Sequence, residues 1–276
     1  MLAPGSTIAG YEVERVVGSG GTGILYRARQ VRLDRPVALK LVEPEVAREP
    51  VVRERLRREA RTLASLDHPN IVPLYEAGEE DGAVYVVMRW VDGTELGTLI
   101  RRDGPLEPAR AARIAAQVAA ALEVAHEKGL VHRDVKPSNL ILTSDDHVYL
   151  TDFGLTKRAE SAAGLTIGAH LLGTVDYVAP EQIEGNDPDA RGDVYALGCV
   201  LFEMLAGAPP FAGESGGVAK MWAQVNADPP SVRRERPDVS EALEAVILRA
   251  LAKTPDARPT AAVFREAVLD AVGEEL

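Results

Sequence analysis

The hydrophobic pattern of this chain changes period once, about a third of the way along, and that change limits the folds open to it. Residues 11 to 91 hold five short segments, "YEVERVVG", "GILYRARQ", "RPVALKLV", "IVPLYEAGE" and "AVYVVMRW", rich in Val, Ile and Tyr and partly alternating. Period two marks strands, and "EDG" between the last two supplies a turn, so a small antiparallel sheet is expected. Between the third and fourth segments, Leu56, Ala60, Leu63 and Leu66 recur at helical spacing, which predicts one helix packed on that sheet. From about residue 94 the helical period dominates. "EPARAARIAAQVAAALEVAHEKG" closes at Gly129, "GDVYALGCVLFEMLAG" is apolar nearly all round, and "SEALEAVILRALA" and "AAVFREAVLDAV" follow. Two short apolar runs, "LILT" and "VYLTDFG", flank "SDDH" and read as a strand pair. A sheet followed by helices is an α+β chain.

A length of 276 residues suffices for one large domain or two lobes. With 46% apolar and 26% charged residues, wholesale disorder is excluded. The net charge of −11 argues against a general binder of nucleic acid or anionic membranes, because phosphates are repelled overall. The basic run "RERLRREAR" reads as a solvated helix face. The lone Cys199 lies in an apolar helix and reads as core. No secretory signal is visible at the N-terminus, and no stretch reaches the roughly 18 apolar residues of a membrane span, so a cytoplasmic location is expected. The polar, aperiodic stretch 157–174 reads as a long loop, of the kind that is functional or mobile in a compact domain.

Gly18, Gly20 and Gly23 stand in G-x-G-x-x-G spacing. A dinucleotide-binding fold shares that spacing but continues into a helix. Here "ILYRARQ" continues as a strand, so the glycines form a hairpin tip whose amides can approach a polyphosphate. Alternation on the next strand puts Ala38 and Lys40 on one face, the face the glycine loop covers. An inward lysine needs an anion, and phosphate or the carboxylate of Glu59 can supply it.

In order along the chain, "GSGGTG", "VALK", "HRDVKPSN", "DFG", "GTVDYVAPE", "GDVYALG" and "ARP" resemble the eukaryotic-like, Hanks-type protein kinases. "HPNIV" and "APEQ" make the chain most similar to the bacterial serine/threonine kinases. The resemblance covers residues 11–270 and implies a bilobal fold. The N-lobe (11–91) is a five-stranded antiparallel sheet with one helix, the C-lobe (92–270) is mainly helical, and residues 1–10 form an N-terminal extension.

The resemblance also implies site residues. Asp134 accepts or orients the proton of the substrate hydroxyl, Lys136 steadies the transferring phosphoryl group, and Lys40 pairs with Glu59 and the ATP phosphates. Asn139 and Asp152 hold Mg²⁺, with Mn²⁺ as an alternative. The nucleotide lies against Val17, Gly18, Ser19, Gly20, Gly21, Thr22 and Gly23, with Leu25 and Ala38 above the base and Ile141 below it. Met88 is the gatekeeper, and Arg89, Trp90 and Val91 form the hinge, with backbone groups of Arg89 and Val91 pairing with adenine. His132 packs in the core, Phe153 packs inward, and Gly154 is a loop hinge. Glu181 pairs with Arg258, and Asp193 anchors the catalytic loop. Three positions depart from the common pattern. Arg89 stands where an acidic residue is frequent, Leu25 replaces valine, and Thr22 stands where related enzymes carry methionine.

Lys136 and Thr174 match the kinases that modify serine and threonine rather than tyrosine. Arg133 before Asp134 implies activation by phosphorylation in the 152–181 loop, which offers Thr156, Ser161, Thr166 and Thr174. Thr166 is the expected site, its phosphate pairing with Arg133. The implied partners are ATP and protein substrates, with no nucleic acid and with a homodimer for trans-autophosphorylation. A longer membrane protein that carries this segment on its cytoplasmic side fits equally. The rival reading is an ATP-binding pseudokinase scaffold. Such chains usually lose a residue matching Lys40, Asp134 or Asp152, and none is lost here.

Overall fold

The computed structural model describes residues 1–20, 23–42, 50–153 and 175–273, with the backbone alone at 50–52, 55 and 56. Gly21, Thr22, Gly154, Thr156, Ser161, Thr166, Thr174 and the side chain of Leu56 lie outside the described residues. The described chain packs as two units, residues 1–67 with 71–92, and residues 68–70 with 93–153 and 175–273.

In the first unit, β1 (Thr7–Ile8), β2 (Tyr11–Gly20), β3 (Gly23–Gln30), β4 (Arg35–Val42), β5 (Leu74–Glu80) and β6 (Ala83–Arg89) make one sheet. Its order is β1-β2-β3-β4-β6-β5, antiparallel throughout. The five expected strands are present. The structure adds β1, where Thr7 pairs with Glu12 and Ile8 with Tyr11; two residues are too few to show alternation in sequence. One sheet face carries Tyr11, Val13, Tyr26, Ala28, Val37, Leu39, Tyr85 and Val87, together with Ile8, as a buried cluster. Because successive side chains alternate, Leu25, Ala38, Lys40 and Met88 belong to the opposite face. In register, Leu25 is opposite Lys40 and Ala38 is opposite Met88.

The helix α1 (Pro50–Ala64) lies between β4 and β5 and packs on β5. Ala60 and Leu63 are buried, as is Leu66 just beyond its end, while Arg57, Arg58 and Arg61 are exposed. The basic run is therefore largely the solvated face expected of it.

The second unit is mainly helical. Short strands β7 (Thr94–Glu95), β8 (Leu140–Leu142) and β9 (Val148–Leu150) form a small antiparallel sheet in that order. Helix α2 (Leu96–Asp103) precedes α3 (Pro108–Glu127), which starts on a proline free of the need to donate and is capped by Glu107. The Glu107 carboxylate accepts from Ala109 N at 2.9 Å and Arg110 N at 2.8 Å, bonds that hold it below the usual carboxylate range. After the short α4 (Pro180–Ile183) comes α5 (Ala190–Ala206), the apolar helix, buried from Gly192 through Phe202 on every side. Gly207 ends it at φ 82°, a conformation that favours glycine. Helices α6 (Gly217–Asn226), α7 (Glu241–Ala250) and α8 (Ala261–Asp270) complete the unit, with α8 against α3 and α7 against α5. Cys199 is wholly buried in α5, and burial pushes its thiol well up, away from reactivity.

Candidate active site

The segment 132–139 leaves α3 behind and runs into β8, and its shape is set by a buried carboxylate and a buried imidazole. Asp193, on the first turn of α5 and 2% exposed, accepts from His132 N and Arg133 N, each at 2.7 Å. The same carboxylate lies 2.8 Å from His126 Nε2. These bonds hold Arg133 at φ 66°, a left-handed conformation that costs a non-glycine residue of order 1 kcal/mol or more. Asp193 thus anchors the loop from the buried helix.

His132 fastens the same segment on its other side. Its Nδ1 accepts from Asp134 N at 3.2 Å, and its Nε2 lies 2.9 Å from the carbonyl of Thr151. A carbonyl only accepts, so Nε2 carries the proton and Nδ1 is the free acceptor. Burial depresses the basicity of this ring, keeping it in the neutral form that both bonds need. The wholly buried ring also stacks on Phe153, with centroids 4.6 Å apart. His132 is a strut between the loop and the end of β9, with both nitrogens engaged.

Asp134 meets Lys136 at 2.9 Å from Oδ2 to Nζ. Asn139, 5% exposed, donates through Nδ2 to the Asp134 carbonyl at 2.7 Å and to Oδ2 at 3.1 Å. The three polar residues of "HRDVKPSN" therefore form one cluster. Thr151 N and Oγ1 both donate to the Asn139 carbonyl, at 2.9 and 3.2 Å, which joins the cluster to the strand end leading to Asp152. Asp152 sits at φ 53°, in left-handed backbone like Arg133, and Phe153 is buried. Ile141 is half-buried on β8, opposite Tyr149 and Glu95.

Farther along, Glu181 on α4 and Arg258 form a buried bidentate pair, at 2.7 and 2.8 Å. The remaining guanidinium donors go to the carbonyls of Ala252, Lys253 and Arg191, so the cation is satisfied by protein. A residue with no sequence signal adds a second tie. Gln224 on α6 is wholly buried, donates to the carbonyls of Val175 (3.1 Å) and Asp176 (2.7 Å), and accepts from Tyr195. Lys220 of the same helix pairs with Asp176 at 2.6 Å. A glutamine inside an amphipathic helix looks like any other solvated residue until its register is known.

In the first unit the three glycines behave differently. A side chain at Gly23, whose φ is 135°, would run into the carbonyl of Leu41, so this glycine serves strand packing. Among the described residues, a Cβ on Gly18 or Gly20 would meet no atom within 4 Å, and neither residue adopts a conformation reserved for glycine. Open ground over unforced glycines is what a backbone approached by a ligand requires. Val17 and Ser19 are exposed beside them. Leu25, Ala38 and Lys40 are half-buried on one sheet face, Met88 and Val91 are buried, and Arg89 is exposed with its amide bonded to the carbonyl of Pro73 at 3.0 Å. Glu59 is 7% exposed on α1, beside buried Ala60, and is no surface residue. The assigned residues of this unit thus lie on one sheet face, at the hairpin tip and along the strand end at 88–91, apart from Glu59 on the helix.

No group of three or more His, Cys, Asp or Glu side chains among the described residues would cage a metal. The donors expected for Mg²⁺, one amide oxygen and one carboxylate, still suit that ion, which keeps waters and phosphate oxygens in most of its octahedron. The residues present fit the group. Among the described residues no helix is long and apolar enough to cross a membrane.

A comparison with known protein families matches residues 11–268 to the protein kinase domain. The chain belongs to the protein kinase family. Serine/threonine-protein kinase PknB of Mycolicibacterium smegmatis is 43% identical over 261 residues, 92% of this chain and 42% of that protein. Serine/threonine-protein kinase PknD of Mycobacterium tuberculosis is 45% identical over 256 residues, 92% of this chain and 38% of that protein. The kinase chain thus spans about two-fifths of the length of these curated relatives. The crystal structure of the Mycobacterium tuberculosis PknI kinase domain superposes with a TM-score of 0.79 at 33% identity, over 99% of this chain and 100% of that one. The structure of Rad53 residues 1–466 in complex with AMP-PNP gives 0.79 at 27% identity, over 93% of this chain and 64% of that one. Sheet unit and helical unit are therefore those of a bacterial Hanks-type kinase catalytic domain.

Proposed function

We propose that this kinase domain transfers the γ-phosphoryl group of ATP to serine or threonine hydroxyls of proteins, and that its catalytic residues are those named from the sequence. The observation that carries the proposal is the cluster of Asp134, Lys136 and Asn139 on a loop that Asp193 and His132 hold in strained backbone. Phosphoryl transfer asks for positioning and charge neutralisation rather than covalent help, so a carboxylate, an ammonium and an amide fixed to one another are suited to it.

In this reading the substrate oxygen forms a bond to the γ-phosphorus while the bond to the β,γ-bridging oxygen breaks, releasing ADP. Asp134 orients the hydroxyl and takes its proton. Lys136 lies beside that carboxylate and offsets negative charge on the transferring group. Asn139 and Asp152 would hold Mg²⁺, which supplies charge neutralisation on the phosphate oxygens. Lys40, backed by Glu59, holds the phosphates, and the backbone of 17–23 covers them. Leu25, Ala38 and Ile141 take the two faces of adenine, Met88 guards its inner edge, and backbone groups of Arg89 and Val91 pair with it. The domain proper runs from residue 11 to 270, with the N-lobe at 11–91 and the C-lobe at 92–270. Phosphorylation of Thr166 in trans, within a homodimer, adds an anionic partner for Arg133, which already lies 3.5 Å from Asp187, and orders the loop. ATP as donor places the reaction in the cytoplasm, or on the cytoplasmic side of a longer membrane protein. Mn²⁺ is expected to substitute for Mg²⁺.

Transfer of ³²P from γ-labelled ATP to a generic basic protein, and to the chain itself, tests this. Asp134→Asn is expected to lower turnover by about 10²- to 10⁴-fold, the range for a positioned base. Undiminished turnover in that variant would reassign the base, and nucleotide binding without any transfer by the unaltered chain would favour a pseudokinase scaffold.

A further inference from the structure

Arg15 of β2 and Arg27 of β3 are direct cross-strand partners. Like charges placed opposite one another on a sheet repel, so the pairing needs a local reason. The reason is Trp90. The Arg27 guanidinium carbon lies 5.2 Å from the indole centroid and that of Arg15 lies 5.7 Å away, both within cation–π reach. Glu14 pairs with Arg27 at 2.9 Å, and the indole N–H donates to Asp92 at 2.8 Å.

This arrangement falls at a chosen place. The β6 ladder ends with Arg89 opposite Val37, so the residues after Arg89 leave the sheet without strand pairing. Arg27 is itself opposite Ala38, one of the positions assigned to the adenine face. The side chain of Trp90 therefore ties the departing segment back to the two strands that flank that face.

We infer that Trp90 is a positioning residue for nucleotide binding: held by Arg15 and Arg27, it fixes the backbone of residues 89–91 where the adenine edge is read. The inference rests on the assignment of Arg89 and Val91 to adenine. It adds that the grip on the base depends on an aromatic face at residue 90 and on two arginines outside the residues assigned to the phosphates.

The test compares ATP with two of its competitors, adenosine and inorganic tripolyphosphate. Trp90→Leu removes the aromatic face at similar apolar character, and Trp90→Phe keeps it. Two exposed cation–π contacts correspond to about 5- to 30-fold in affinity. Trp90→Leu is expected to raise KM for ATP and the inhibition constant of adenosine by that factor, with the loss in KM rather than kcat. The inhibition constant of inorganic tripolyphosphate stays unchanged, and Trp90→Phe restores most of the affinity. Arg15→Gln combined with Arg27→Gln shifts KM the same way and adds nothing on top of Trp90→Leu. An adenosine constant unmoved by Trp90→Leu overturns the inference, as does an arginine effect additive with it. If Trp90→Leu fails to fold, the arginine pair alone decides, and an unchanged KM there is equally fatal. Adenosine that does not compete even with the unaltered chain instead overturns the adenine assignment itself.

Discussion

Replacing Asp193 by alanine removes the acceptor of three bonds at once. Two of them come from backbone amides of the 132–139 loop, His132 N and Arg133 N at 2.7 Å, and the former is buried. A buried donor left without a partner costs about 1–3 kcal/mol, and the bonds lost here are charge-assisted, so Asp193→Ala is expected to destabilise the domain by about 4 kcal/mol. At about 2 °C per kcal/mol for a domain of this size, Tm falls by roughly 8 °C. The positive φ of Arg133 loses its support as well, and relaxation there moves Asp134, the next residue. Misplacement of a reacting group by about 1 Å costs on the order of 10²-fold in rate, so turnover should fall by that factor at temperatures where the variant is still folded. Asp193→Asn keeps one acceptor but turns an amide N–H toward a backbone N–H, and should fall between. Urea titration measures the stability and ³²P transfer the rate. An Asp193→Ala protein melting within about 2 °C of the unaltered chain and phosphorylating at full rate would refute the account, because the amides would then have found other acceptors at no cost.

The glycine-rich hairpin offers a contrast within one motif. Gly23→Ala should lower Tm, since the methyl group meets the Leu41 carbonyl, whereas Gly18→Ala and Gly20→Ala should leave Tm in place and raise KM for ATP; thermal melts and initial rates on the three proteins separate the two effects. His132 makes stability depend on pH. Burial lowers its folded basicity below the ordinary value near 6.5, so above that pH the neutral ring suits both states. As pH falls below it, the unfolded chain takes up a proton that the folded one refuses, and stability declines by up to about 1.4 kcal/mol per pH unit. Urea unfolding between about pH 5 and 7 should show a flatter profile in His132→Gln, and an equally steep one would assign the slope to other groups.

Alternation made the strands legible because each carries a buried face: Val37 and Leu39 face the core while Ala38 and Lys40 do not. The apolar helix α5 was legible for the opposite reason, having no polar face to hide. The clustering of Asp134, Lys136 and Asn139 followed from their closeness in sequence and the family's pattern. What sequence did not show depends on register. β2 carries an irregularity between Val13 and Arg15, and it brings Arg15 opposite Arg27. No counting along the chain yields that pair, and with it the arginines that meet Trp90. Gln224 and the edge strand β1 were hidden likewise, one by helix phase and the other by shortness.

The pairing of Glu181 with Arg258 joins residues 77 positions apart. During vectorial synthesis the sheet unit has all its strands once Arg89 has emerged, while Glu181 waits with no counter-charge until nearly the whole chain is made. An interval therefore exists in every round of translation when the sheet of the first unit can be formed and the helical unit cannot close. Any truncation that stops short of Arg258 makes that interval permanent, which sets a lower limit on how far a shortened version of this enzyme must extend to be produced intact.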